Sequence, residues 1–182
     1  MSDPALLPAK DVTTLLRRVR QTRDFRADPV PEDALLDILD VARWTGSVSN
    51  SQPWTFIVVT DSEARRKMAE AAPYTAHIGV APVVIVIAHD DSGNLETDNY
   101  DEGRLTERIM TAATAHGLAC GLARAREGAR EVIRDLLGVP QDLTVRSMVS
   151  IGYPTEAGAK PKSAPGQARR PLESFIRRER FS

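Results

Sequence analysis

The 182-residue chain carries 24 Lys plus Arg against 25 Asp plus Glu, a balance with no electrostatic footprint for nucleic acid or an anionic membrane. A length of this order fits one ordinary domain, expected to span 1–182. The single Cys120 excludes an internal disulfide, and His77, His89 and His116 are scattered without metal-ligand spacing.

No apolar run reaches the roughly 18 residues of a membrane span, and Met1 to Lys10 lacks a signal-peptide core, so a soluble, cytoplasmic protein with an N-terminal extension over 1–10 is expected. Asp11 is read as the cap of a first helix whose stripe of Val12, Leu15, Leu16 and Val19 is buried, ending near Arg20. Pro29 and Pro31 forbid a continuing helix, and Pro31 with Glu32 and Asp33 opens the next one, with Leu35, Ile38, Leu39 and Ala42 as its core face. Trp44 to Trp54 is rich in hydroxyl and amide side chains and reads as an ordered loop presenting donors and acceptors. Asn50 and Gln52 each pair an acceptor with a donor, as needed to read the edge of a planar heterocycle.

A strand over Trp54 to Thr60 follows, then an Asp61-capped helix that Pro73 ends. Val80 to Ala88 predicts a strand covered on both faces, although Pro82 limits the pairing at its start. Asp90 to Asn99 reads as a loop, Tyr100 to His116 as a helix closed by Gly117, and Leu118 to Arg124 as a strand. A helix from about Arg126 precedes a strand over Leu143 to Gly152, with Val145, Ser147, Val149 and Ile151 expected on one face. Tyr153 to Pro171 holds four prolines and two glycines and cannot bury itself, so it must lie across a surface. Leu172 to Arg180 predicts a short helix anchored by Leu172, Phe175 and Ile176.

Arg20, Arg23, Arg169 and Arg170 stand where helical period fails, and guanidinium forks match a phosphate with two charge-assisted hydrogen bonds each. No nucleophile elbow, phosphate-binding loop or paired His/Glu metal helix occurs in the sequence.

The segment Ala42-Arg-Trp-Thr-Gly-Ser-Val-Ser-Asn-Ser-Gln-Pro-Trp-Thr-Phe56 resembles the A-x-x-x-P-S-x-x-N-x-Q-P-W-x-F signature of FMN-dependent nitroreductases, departing at Gly46 and Val48. Val19-Arg-Gln-Thr-Arg-Asp-Phe25 with Asp28-Pro-Val-Pro31 is similar to that family's R-R-S-x-R-x-F…P-V-P opening, Gln21 standing where the family often has Ser. Ile151-Gly-Tyr-Pro154 and Arg169-Arg-Pro-Leu-Glu173 resemble its ending, and Thr114 to Leu122 with Leu136 to Pro140 its glycine-rich centre. The resemblance spans about residues 12 to 175.

It implies an α+β fold with a central, mostly antiparallel sheet flanked by helices and an extended C-terminal arm over 154–171. It implies FMN as cofactor and NAD(P)H as electron donor. A small aromatic, nitro- or quinone-type acceptor would be reduced in ping-pong order, with no catalytic side chain beyond the flavin. It implies that Arg20, Gln21 and Arg23, with Arg169 and Arg170, hold the flavin phosphate and pyrimidine edge. Backbone N–H groups of Leu122, Ala123 and Arg124 would lie beside flavin N5. Gly46, Ser47 and Asn50 would reach the flavin of a neighbouring subunit in a homodimer, whose arm embraces its partner. Two alternatives share these motifs: a dimethylbenzimidazole synthase-like enzyme that fragments flavin, and a flavin-binding protein without turnover whose pocket is blocked by Arg124 and Arg126.

Overall fold

The computed structural model describes residues 8–161, 163 and 169–181. Four antiparallel strands, β1 (Trp54–Val59), β2 (Val83–Asp90), β3 (Ala119–Arg124) and β4 (Leu143–Gly152), form one sheet in the order β1-β2-β4-β3. Seven helices surround it: α1 (Ala9–Arg18), α2 (Glu32–Arg43), α3 (Ser62–Ala71), α4 (His77–Val80), α5 (Leu95–Ala115), α6 (Ala129–Leu137) and α7 (Glu156–Ala159). The α+β expectation, with a central antiparallel sheet and flanking helices, is met.

Strand periodicity explains the layering. Val83, Ile85 and Ile87 of β2 join Leu35, Ile38, Leu105 and Ile109 of α2 and α5, while Val84, Val86 and Ala88 face Met68, Ile78 and Ile133 of α3, α4 and α6. A strand buried on both faces has no polar side to alternate, hence the continuous apolar run. It starts at Val83 rather than Val80, because Pro82 cannot donate to the ladder and residues 77–80 take a helical turn.

Other boundaries moved for local reasons. Asp61 caps α3 as expected, its carboxylate accepting from Ala64 N at 2.7 Å. Asp11 caps nothing: α1 starts at Ala9, inside the proposed extension, and Pro8 occupies the cap position. Its apolar stripe is not buried, with Val12 38% and Leu16 50% exposed. α5 begins at Leu95, five residues before Tyr100, because Asn94 accepts from Thr97 N at 3.2 Å and opens the helix inside the polar segment. α6 begins at Ala129 rather than Arg126. In β4 the register slips against β2 between Val86/Met148 and Ala88/Val145. That bulge inserts one residue and reverses the faces, so Val145 joins the α3/α6 layer while Val149 and Ile151 join the α2/α5 layer. Leu172 to Arg180 is not a helix beyond one turn at Leu172–Ser174, and Leu172, Phe175 and Ile176 are exposed in the single chain. Residues 162 and 164–168 of the expected arm lie outside the described residues.

The feature that organises the cleft lies at the β3 edge. Gln21 bridges Cys120 in parallel, Thr22 N donates to the Cys120 carbonyl at 2.8 Å, and Arg26 N donates to the Tyr153 carbonyl at 2.8 Å. The Gln21–Arg26 segment thereby covers the sheet edge. Gly121 permits this approach, since a Cβ there would stand 2.4 Å from the Thr22 carbonyl oxygen and 2.9 Å from Ser150 Oγ. Gly121→Ala should therefore lower stability by about 1–3 kcal/mol as the two backbones are pushed apart, read as a fall in Tm. A Tm equal to wild type would show that the segment is not packed this tightly.

Candidate functional site

Residues 21 and 23 of an extended segment share one side, so Gln21 and Arg23 project together from the covered edge. They line a cleft of about 950 Å³ with Arg20, Lys160 and Arg169, and Asp24 is the carboxylate in its wall. Arg20 Nη2 donates to the Ala159 carbonyl, which fixes its guanidinium against α7. Arg170 is not among the cleft residues; its guanidinium carbon lies 4.3 Å from the Phe175 ring centroid. The structure thus brings Arg20, Gln21, Arg23 and Arg169 together and separates Arg170.

The β3 edge sorts the three backbone donors. Leu122 N–H donates to Gln21 Oε1 at 2.8 Å, so this donor is engaged within the chain. Ala125 N donates to the Arg146 carbonyl of β4, so by alternation Ala123 N–H also points into the sheet and Arg124 N–H opens on the edge. The Ala123 side chain is 1% exposed and packs in the α3/α6 layer. Of the three expected N–H groups at Leu122, Ala123 and Arg124, the one at Arg124 faces outward without a partner in β4, the one at Leu122 is engaged by Gln21, and the one at Ala123 points into the sheet. Gln21 keeps its amide NH₂ as a donor once Oε1 is occupied.

Gly46, Ser47 and Asn50 sit elsewhere. They precede β1, at the sheet edge opposite β3, and do not line this cleft. Their loop is tied to α5: Val48 N donates to Asp101 Oδ2 at 2.9 Å, and Arg108 Nη1 donates to the Trp44 carbonyl at 3.0 Å. A Cβ on Gly46 would meet the terminal Nη2 of the flexible Arg104 side chain at 2.9 Å. Ser49, Asn50 and Gln52 all have positive φ, at 53°, 55° and 50°. Left-handed backbone at non-glycine residues costs of order 1 kcal/mol or more each and persists where surroundings hold it, which is common at binding sites. Gln52 is consumed locally: its N donates to Ser47 Oγ at 2.8 Å and its Nε2 to the Asn50 carbonyl at 3.3 Å. The Asn50 side-chain amide makes no hydrogen bond to a described residue, so of the two amides it is the one left to face a ligand.

His77 was not anticipated. It is 5% exposed, its Nε2 has no hydrogen-bond partner among the described residues, and a Cβ on Gly121 would lie 3.0 Å from its ring. Burial, then the positive charge of Arg23, hold its pKa below the ordinary 6.5, while a backbone hydrogen bond at Gly121 opposes them. A single His with no helical or motif context left no sequence signal for this. Cys120, by contrast, is a buried thiol: burial pushes its pKa up to about 12, so it is no thiolate nucleophile.

Comparison with known proteins fits this geometry. The nitroreductase family model matches residues 16–76 and 72–153, and the chain belongs to that family. An NADH dehydrogenase of Thermus thermophilus is 30% identical over 190 residues, spanning 85% of this chain and 92% of the relative. An FMN reductase (NAD(P)H) of Bacillus subtilis is 24% identical over 184 residues, spanning 90% of this chain and 74% of the relative. An FMN-dependent nitroreductase from Clostridium difficile superposes with a TM-score of 0.81 at 24% identity, covering 92% of this chain and 98% of that one. Nitroreductase A from Vibrio parahaemolyticus gives 0.78 at 21% identity, covering 94% and 76%. These structural likenesses speak for the fold.

The depressed His77 pKa has a signed consequence. Between the folded value and about 6.5 the unfolded chain binds more protons, so stability is full above about pH 6.5 and declines as pH falls below it. Urea midpoints between pH 8 and pH 5 should show that decline, and His77→Gln should flatten it. An equal slope in both proteins would show that His77 does not carry it.

Proposed function

We propose that this chain is an FMN-dependent oxidoreductase that takes hydride from NAD(P)H and reduces a small aromatic, nitro- or quinone-type substrate. The observation that carries this reading is the Gln21–Arg23 segment laid on the β3 edge, with cationic Arg20, Lys160 and Arg169 at one end and the outward Arg124 N–H at the other. A flavin mononucleotide has that polarity, a phosphate at one end and a ring bearing acceptors at the other. The cleft volume falls within the range of cofactor sites, about 300–1,000 Å³. The chemistry of the donors fits too, since guanidinium and ammonium groups supply only donors to a phosphate.

FMN bound there supplies hydride acceptance and return, leaving binding, orientation and charge to the chain. Arg20, Arg23 and Arg169 hold the phosphate end. Arg23 also sits where positive charge offsets charge developing on the pyrimidine edge. The Gln21 amide donates to that edge, and the Arg124 N–H is the backbone donor nearest the position expected of N5. The names of the relatives, an FMN reductase and an FMN-dependent nitroreductase, support the same cofactor. No Gly-x-Gly-x-x-Gly dinucleotide fingerprint occurs in the sequence, so reductant and acceptor use one site in turn, giving ping-pong kinetics.

The protein acts as a homodimer in the cytoplasm, a single domain over 1–182, with flavin at the subunit interface. Three features support the dimer. The Gly46–Asn50 loop lies at the sheet edge away from its own cleft, so its reach to a flavin is best met in a second copy. A groove of about 930 Å³ between α1 and α5 presents Leu15, Leu16, Val41 and Tyr100 to the surface. Leu172, Phe175, Ile176 and Phe181 are 67%, 57%, 45% and 94% exposed and require a partner surface to bury them. Among the described residues no helix is long and apolar enough to cross a membrane.

The purified protein should show flavin absorbance that bleaches with NADH or NADPH under anaerobic conditions; a protein that stays colourless after incubation with FMN overturns the reading. Arg20→Ala should weaken FMN binding roughly ten- to a hundredfold in equilibrium dialysis, while Arg17→Ala leaves it nearly unchanged. Truncation after Tyr153 should lose the dimer and FMN together in light scattering and absorbance. A folded, flavin-replete monomer would dissociate the two claims.

A further inference from the structure

Past Gln21 the cleft opens into a second space of about 530 Å³, walled by Arg23, Tyr74, Leu122, Arg124, Arg126 and Arg130. Its lining holds four guanidinium groups and no carboxylate. Six other arginines, Arg26, Arg43, Arg66, Arg104, Arg134 and Arg146, each have an Asp or Glu oxygen within ion-pair distance. Arg23, Arg124, Arg126 and Arg130 form no ion pair with a described residue. Four like charges around one concavity repel one another and raise the local concentration of anions.

Two of the four are held in place by contacts that leave hydrogen-bonding capacity spare. The Arg126 guanidinium carbon lies 4.4 Å from the Tyr74 ring centroid, a stacking contact that uses no N–H. Arg130 donates through Nε to the Ala125 carbonyl at 3.0 Å, so its two terminal amino groups remain. Tyr74 is 75% exposed and offers an aromatic face beside these donors. Asp24, Glu127 and Glu131 adjoin these arginines in sequence but do not line this space; Glu127 lines the smaller adjoining pocket with Arg124 and Arg126.

We propose that the substrate of this site carries an oxyanion, a carboxylate or phosphate, held by Arg124, Arg126 and Arg130 while its planar part lies against Tyr74 and the Gln21–Leu122 floor. The proposal rests on the flavin reading for what happens to that substrate, but the anion preference itself does not need the flavin. It also opposes the view that Arg124 and Arg126 merely block the pocket. Two sources have this chemistry: the 2′-phosphate of NADPH, and an acidic substituent on the aromatic acceptor.

Matched pairs separate them. Turnover is measured at low salt with NADPH against NADH, using one neutral quinone, and with 4-nitrobenzoate against its methyl ester, using NADH. At least one anionic member should be preferred roughly tenfold or more in kcat/KM, through KM, with the preference shrinking as salt is added. The double variant Arg124→Gln/Arg126→Gln should lower that ratio roughly tenfold or more, to near unity, and Arg124→Lys/Arg126→Lys should restore part of it. Preference confined to the nicotinamide pair assigns the cluster to the reductant, and preference confined to the benzoate pair assigns it to the acceptor. No preference in either pair, or a ratio unmoved by the double Gln variant, overturns the proposal. Should the protein bind no FMN, calorimetric titration with the same four compounds decides instead. Tighter binding of the anionic members supports the proposal, and equal or undetectable binding overturns it.

Discussion

How closely the Gln21–Arg23 backbone can approach strand β3 governs the chemistry available at the cleft. Thr22 N–H meets the Cys120 carbonyl at 2.8 Å and Gln21 Oε1 meets Leu122 N–H at 2.8 Å, so an edge that would otherwise invite another strand is satisfied within the chain. The missing side chain of Gly121 makes room for both contacts. From that one packing constraint follow the projection of Gln21 and Arg23 to one side and the crowded setting of His77 behind them, while the pairing of β3 with β4 turns Arg124 N–H outward. α7 closes the other side, with the Gly158 position lying against the Asp24 carbonyl and Arg20 donating to Ala159.

The opposite sheet edge is organised by charge rather than by close approach. Asp101, 3% exposed on α5, accepts from Val48 N, and its neighbour Asp98 lies 3.5 Å from Arg146 of β4, both members of that pair being buried. Buried charges are retained at a cost unless paired, so this cluster tells more about holding α5, β4 and the loop in one arrangement than about net stability. The arrangement supports three departures into left-handed backbone within four residues, at Ser49, Asn50 and Gln52, which a free loop of this composition would not keep. The two edges thus differ: one carries a cationic cleft on a covered strand edge, the other a polar loop whose Asn50 amide makes no hydrogen bond to a described residue.

Arginine carries two distinct duties on this surface. Where a carboxylate is adjacent, as for Arg66 between Glu63 and Glu70, the group serves a solvated helix face of little energetic weight. In the space beyond Gln21 no carboxylate lines the wall, and the role proposed there for the same side chain is recognition of an anion. Composition alone, with 24 basic and 25 acidic residues, averages these two populations to near zero.

What the sequence determined by itself is whatever rests on local chemistry. The Asp61 cap, the Gly117 helix end, strand β1 and the doubly buried β2 were legible because each is set by residues within a few positions. The nitroreductase resemblance was legible because the Asn50, Gln52, Pro53 and Trp54 spacing survives in the chain. Tertiary structure alone decided what depends on a distant partner. The α1 stripe looked like a core face, yet periodicity reports that a side is apolar and not that anything in the same chain covers it. The β4 bulge is set by its register against β2, and no residue of β4 announces it. Leu122 N–H donates to a side chain 101 positions away, and Arg170 lies over the Phe175 ring, outside the cleft that Arg169 lines. Contacts of that separation follow from how closely two backbones pass, a quantity that no window along the sequence contains.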